Sequence, residues 1–107
     1  MKSRLDRIND WEKRLQDAKW QAKALARNCS IGEWELRHYV RLKFRLPLHQ
    51  WIVRKRMARA AALLAQGMDP KGVSWALGYK QHSHFWREFK RFHGVTPGNF
   101  ANTDPAP

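Results

Sequence analysis

At 107 residues the chain is one domain, or two very small ones sharing an element, with limited capacity to bury surface. Its 21 Lys and Arg against 9 Asp and Glu leave a net charge of +12, a field that draws polyanions, either nucleic acid or an anionic membrane surface. A single cysteine, Cys29, excludes an internal disulfide and any cysteine-rich zinc site, and no apolar run reaches the ~18 residues that a bilayer span needs.

The segment from Met1 to Leu5 lacks the apolar core of a signal peptide, and one cysteine suits a reducing compartment, so a cytoplasmic, nucleoid-associated protein is expected. Residues 4–16 place Leu5, Ile8, Trp11 (or Glu12) and Leu15 at helical spacing, which predicts a first amphipathic helix. A second follows from Trp20 to Asn28 with Ala24, Leu25 and Cys29 inward, and 28–32 is the turn that closes it. Cys29 reads as a buried structural thiol.

Residues 33–44 form a more telling helix. At about 100° per residue, Arg37, His38, Arg41 and Arg45 cluster around Trp34, while Leu36, Tyr39 and Val40 fall on the far side. One face is cationic with an aromatic at its head; the other is core. Gly32 serves as N-cap, and Glu33 and Glu35 complement the helix dipole.

From Leu48 to Gln66 there is no Gly or Pro, and Met57 to Leu64 is strongly helix-forming. Val53, Met57, Ala60, Ala61 and Leu64 line one side, with Trp51, Ile52 and Leu63 adding apolar surface elsewhere. A helix apolar on more than one side is built to pack against two bodies. Its length, about 28 Å, approaches the ~34 Å of one DNA turn.

Residues 69–77 read as a short helix with Asp69 as N-cap and Pro70 at its first position. Gly78 then suits a positive φ, and Gly94 with Pro97 ends the helix that follows. Within it Phe85, Phe89 and Phe92 share one face, while Ser83, Arg87, Lys90 and Arg91 lie opposite, with Trp86 at the edge. A turn of this kind between two helices, basic outside and apolar inside, is the helix-turn-helix means of presenting side chains to a major groove.

Residues 36–51 superpose on 85–100 at an offset of 49, pairing Leu36 with Phe85, Val40 with Phe89, Arg41 with Lys90, Leu46 with Val95 and Trp51 with Phe100. The chain thus carries two copies of one unit, and the 48–66 helix is their shared wall. The predicted fold is all-α, with about seven helices in two helix-turn-helix subdomains joined by a long central helix. Its parts are an N-terminal subdomain over 1–47, a linking helix over 48–66, a C-terminal subdomain over 67–100 and a disordered tail over 101–107.

The string Leu25-Ala26-Arg27 through Leu36-Arg37, then Arg56 to Leu64, then Gly78-Tyr79, Phe85, Phe89-Lys90 and Gly94-Val95-Thr96-Pro97 resembles the DNA-binding domain of AraC/XylS-family transcriptional regulators. The likeness covers about residues 4–100, and the C-terminal half carries its most specific spacing. It implies that the second helix of each unit enters the major groove. By positional match the implied base readers are Trp34, Arg37, His38 and Arg41 in the first unit and His82, Ser83, Trp86 and Arg87 in the second. Arg37, Arg41 or Arg87 can bind a guanine edge bidentately, and Trp34 and Trp86 can press on thymine methyls or sugars. Lys43, Arg45, Lys90 and Arg91 suit phosphates. For His82 and Arg87, phosphate contacts or helix caps remain open beside base reading.

Three positions depart from the family pattern in the first unit: Arg45 stands where the family has Gly, Pro47 lies one residue before the usual Pro, and Gly32 replaces a capping Ser. Trp86 is bulkier than the small polar residues common at its position.

Neither a metal site nor an enzyme is expected. His82 and His84 point apart on a helix, His93 has no cysteine or carboxylate cluster near it, and no nucleophile, base and orienter constellation appears. The reading is a monomeric, sequence-specific regulator of double-stranded DNA, an activator contacting RNA polymerase, without a cofactor, membrane partner, effector domain or small-molecule ligand. The alternative is an interaction module that modulates another regulator or RNA polymerase.

Overall fold

Glycine and proline punctuate the chain, and the segments between them are helical in the computed structural model, which describes residues 3–102. A 3-10 helix, Arg4–Arg7, precedes seven α-helices: α1 Trp11–Asp17, α2 Ala22–Asn28, α3 Glu33–Phe44, α4 Leu48–Ala65, α5 Pro70–Ala76, α6 His82–His93 and α7 Pro97–Asn102. No strand occurs among the described residues. The chain divides into two compact units, one ending at Lys55 and one beginning at Arg56, so α4 contributes its first turns to one and the remainder to the other. Of the tail expected over 101–107, Ala101 and Asn102 belong to α7. Residues 103–107 lie outside the described residues.

The expected first helix over 4–16 is in fact two pieces. Ser3 caps the 3-10 helix, its Oγ accepting from the Leu5 N–H at 3.1 Å, and Ile8 then takes extended backbone. Asp10 restarts the chain as N-cap of α1, with its carboxylate on Arg14 at 3.0 Å. Helical periodicity survives the break because Leu5 and Leu15 are buried on either side of it.

The second helix begins at Ala22, two residues later than expected, because Lys19 and Trp20 both adopt left-handed backbone (φ 54° and 61°). Two such residues cost about 2–4 kcal/mol together. Burying one indole at ~25 cal/mol per Å² recovers about 4–6 kcal/mol, and Trp20 is buried. Leu25 and Ala26 point inward, whereas Ala24 and Cys29 are only half-buried, so Cys29 is not the interior thiol expected. Partial burial still pushes its thiol pKa up.

Leu36 and Val40 anchor α3 in this unit's core. Trp51 stacks on Phe44 at 5.1 Å and meets Trp11 edge-on at 5.3 Å.

In the second unit Met57, Ala60, Leu63 and Leu64 of α4 are buried, along with Val73, Leu77, Tyr79, Phe85 and Phe89. Of the apolar side expected for α4, Val53 and Ala61 are only half-buried. Asp69 accepts from the Gly72 N–H at 3.0 Å and Pro70 opens α5. Gly78 and Gly94 take φ of 82° and 79°, conformations in which a Cβ is strained.

Phe92 corrects the expected aromatic stripe: it is 44% exposed. The inward place at this end of α6 belongs to His93, whose ring lies 4.3 Å from Phe89 and whose Nε2 meets the Met57 carbonyl at 3.1 Å.

The two turns also differ in length. Helix closure runs from the Ile31 N–H to the Ala26 carbonyl in one and from the Tyr79 N–H to the Ser74 carbonyl in the other, positions 48 apart. Leu36 and Phe85 are 49 apart, because the second turn holds one residue more.

Candidate nucleic-acid interface

Burial of Leu36 and Val40 turns the opposite face of α3 to solvent. Trp34 is 73% exposed there, and Arg37, His38 and Arg41 are exposed beside it. Two i, i+4 rungs order this face. The Trp34 and His38 rings stack at 5.1 Å and 6°, and Arg37 Nη2 donates to Glu33 Oε1 at 3.0 Å. Trp34, Arg37, His38, Arg41 and Pro47 line a shallow groove.

The flank of α3 and the turn before it are tied at the surface to the N-terminal segment. Tyr39 Oη donates to Asp6 Oδ1 at 2.7 Å, Lys43 Nζ reaches the same oxygen at 3.4 Å, and Arg4 Nη2 donates to the Ser30 carbonyl at 3.0 Å. The Tyr39 hydrogen bond, seconded by Lys43, holds the Asp6 carboxyl below its ordinary range. Desolvation and the Asp6 bond push Tyr39 up to about 12. Lys43 is therefore partly engaged inside the protein, and a phosphate must compete with Asp6 for it. Arg45 closes α3 in left-handed backbone at φ 61°, its N–H donating to the Arg41 carbonyl, with its side chain exposed.

On α6 the buried Phe85 and Phe89 leave His82, Ser83, Arg87, Lys90 and Arg91 exposed. Trp86 is 38% exposed and carries Lys90 Nζ over its ring at 5.3 Å, so both sit on one ridge. Behind them Tyr79 Oη donates to Glu88 Oε1, and Arg56 lies 3.8 Å over the Tyr79 ring. Arg56 also donates through Nε and Nη2 to the Leu77 carbonyl at 3.2 and 2.7 Å. Burial, then the Glu88 bond, raises the Tyr79 pKa strongly.

The bracing roles of Asp6, Tyr39 and Arg4 in one unit and of Arg56, Tyr79 and Glu88 in the other were not read from the sequence, which assigned Tyr39 only to the core face of α3. Tyr39 and Glu88 are equivalent at the offset of 49, and each is half of a tyrosine–carboxylate bond.

The exposed groups are almost all hydrogen-bond donors and flat rings, suited to guanine edges, phosphates and base or sugar faces. Among the described residues no cluster of three His, Cys, Asp or Glu could hold a metal ion, and no helix is long and apolar enough to cross a membrane.

A family profile described as a helix-turn-helix domain matches residues 25–103. The C-terminal domain of the two-component response regulator yesN from Fusobacterium nucleatum is similar in structure, with a TM-score of 0.72 and 20% identity, covering 85% of this chain and 89% of that one. A DNA-binding transcriptional dual regulator from Escherichia coli K-12 gives 0.69 and 21%, covering 89% and 92%. The C-terminal domain of AraT, a response regulator from Geobacillus stearothermophilus, gives 0.71 and 17%, covering 94% and 91%. A search of curated proteins returned no match.

Proposed function

The chain belongs to the AraC-type helix-turn-helix family of DNA-binding transcription regulators, and on that premise we propose that α3 and α6 each read base edges in a major groove. The observation that carries this reading is the same arrangement on both helices. A wholly buried apolar pair, Leu36 with Val40 or Phe85 with Phe89, opposes an exposed face of Arg and Trp.

In this reading Arg37, Arg41 and Arg87 take guanine edges, Trp34 and Trp86 press on thymine methyls or sugars, and His38, His82 and Ser83 complete the readout. Arg45, Lys90 and Arg91 meet phosphates, and Lys43 joins them when it leaves Asp6. In this reading the protein binds as a monomer.

Anisotropy titration of a selected duplex at two salt concentrations tests this. Arg37→Ala and Arg87→Ala are each expected to lose about 5- to 150-fold in affinity for that duplex and to relax one base position. Arg91→Ala should weaken all duplexes alike and lower the salt slope by about one. Equal effects of all three variants on every sequence would leave only charge-driven binding.

Activation through RNA polymerase is the sign of regulation we infer. One observation favours a protein contact: Trp75 is 83% exposed on α5, outside both reader helices. Trp75→Ala should leave DNA affinity unchanged and lower transcription in a purified system; unchanged transcription would remove this contact from the account.

A further inference from the structure

Resting on the major-groove reading of α3, a carboxylate stands where donors would be expected. Glu33 is the first residue of α3, directly after the N-cap Gly32, and so belongs to the turn of a reader helix that comes nearest to base edges. It is half-exposed, and its contact with Arg37 is a single one between Oε1 and Nη2. The guanidinium keeps further N–H donors for a base, and Glu33 keeps its second oxygen.

From this geometry we infer that Glu33 is a specificity-determining residue, which reads an amino-bearing base, cytosine or adenine, beside the guanine taken by Arg37. The chemistry is one-sided. An ionised carboxylate only accepts, so it takes the cytosine N4 or adenine N6 amino group and is repelled by guanine O6 and thymine O4. Arginine only donates, so it selects the opposite edge. An exposed i, i+4 ion pair is weak and salt-screened, and it aims the two side chains without locking either away from DNA. In a chain of net charge +12, a carboxylate at the interface lowers attraction to every phosphate and gains on one class of base. That is discrimination by repulsion.

Helix-dipole compensation does not account for Glu33 alone. Glu35 lies in the same first turn, and the equivalent of Glu33 on α6 is His82, so that helix forms without an acidic residue there. The filter is therefore a property of the first unit only.

Selection of binding sites from a randomised duplex library tests the inference, using the full chain and its Glu33→Gln, Glu33→Lys and Glu35→Gln variants, each first checked for helix content and thermal melting. The wild type is expected to prefer C or A over G and T at one position in the block read by α3, by about 5- to 150-fold. Glu33→Gln, whose amide both donates and accepts, should narrow that preference to adenine, Glu33→Lys should turn it toward G or T, and Glu35→Gln should leave it in place. If both Glu33 variants keep the wild-type preference while affinity shifts equally on all sequences, Glu33 acts only on the helix dipole and the general field, and the inference is overturned. A wild type that enriches no sequence would instead overturn the proposed function, and this inference with it.

Discussion

The two helix-turn-helix units reach the same closure with different side chains. After α2 an exposed arginine from the N-terminal segment, Arg4, takes the turn carbonyl of Ser30; after α5 the half-buried Arg56 takes that of Leu77 with two hydrogen bonds. A tyrosine–carboxylate bond braces each reader helix, with its ends exchanged: Tyr39 on α3 meets Asp6, while Glu88 on α6 meets Tyr79 in the turn. Where α6 stops at Gly94, α3 stops at Arg45 in the same left-handed region. Thr96 caps α7 by accepting from the Asn99 N–H at 3.1 Å, and the equivalent position before α4 is Pro47, which has no such oxygen. Each turn keeps a closing bond to an arginine and each reader helix keeps a tyrosine–carboxylate brace, though not from equivalent positions, and the cap bond before α7 has no counterpart at Pro47.

The largest expected effects lie in the two cores. Phe85→Ala should destabilise by about 3–5 kcal/mol, and its counterpart Leu36→Ala by about 2–5, both read from urea unfolding. A cost below about 1 kcal/mol for either would mean that its reader helix is not seated on the buried face described.

The turn arginines come next. Arg56→Ala should cost about 2–3 kcal/mol, since it removes two charge-assisted bonds and a ring contact from a half-buried site. Arg4→Ala should cost under about 1 kcal/mol, because its bond is exposed. Equal losses would erase the distinction between the two closures.

Helix ends give smaller effects of opposite sign. Thr96→Ala should cost about 1 kcal/mol as a lost N-cap. Arg45→Gly should gain about 0.5–1 kcal/mol by relieving left-handed strain, less the added chain entropy of glycine. A loss on Arg45→Gly would show that its side chain, and not its backbone, matters at that corner.

The smallest effects are in pH. Tyr39 has its pKa raised from 10.0 to about 12, so the stability it lends is complete below pH 10 and fades as pH rises through about 12. Asp6 has the opposite sign: its lowered pKa lends stability above its ordinary value of 3.8, and this is lost as pH falls through the depressed value. Tyrosinate absorbance should show no titration centred at pH 10, and Tyr39→Phe should remove the step near pH 12. A normal midpoint for Tyr39 would mean that the Asp6 bond is absent in solution.

The reader helices were the most legible part of the chain, because Leu36 with Val40 and Phe85 with Phe89 mark one face at helical spacing and Gly94 marks the end of α6; the end of α3 at Arg45 carried no such glycine. Asp69-Pro70 marked the start of α5 just as plainly. The break at Ile8 was hidden, since a 3-10 turn and an α-helix can keep apolar residues in phase across three residues. Nothing local in Lys19-Trp20 signals two left-handed residues; tertiary burial of the indole decides them. Phe92 yielded its inward place to His93 because the imidazole can both pack on Phe89 and meet a backbone carbonyl, which phenyl cannot. The bracing bonds at Asp6 and Arg56 were illegible for the same reason: they join segments distant in sequence.

Guanine N7 lies in the major groove, so methylation interference there reports whether both α3 and α6 read that groove. On a site selected by the wild type, two separate clusters of interfering guanines are expected, with Arg37→Ala losing one and Arg87→Ala the other. A single cluster, or interference indifferent to both substitutions, would contradict the account.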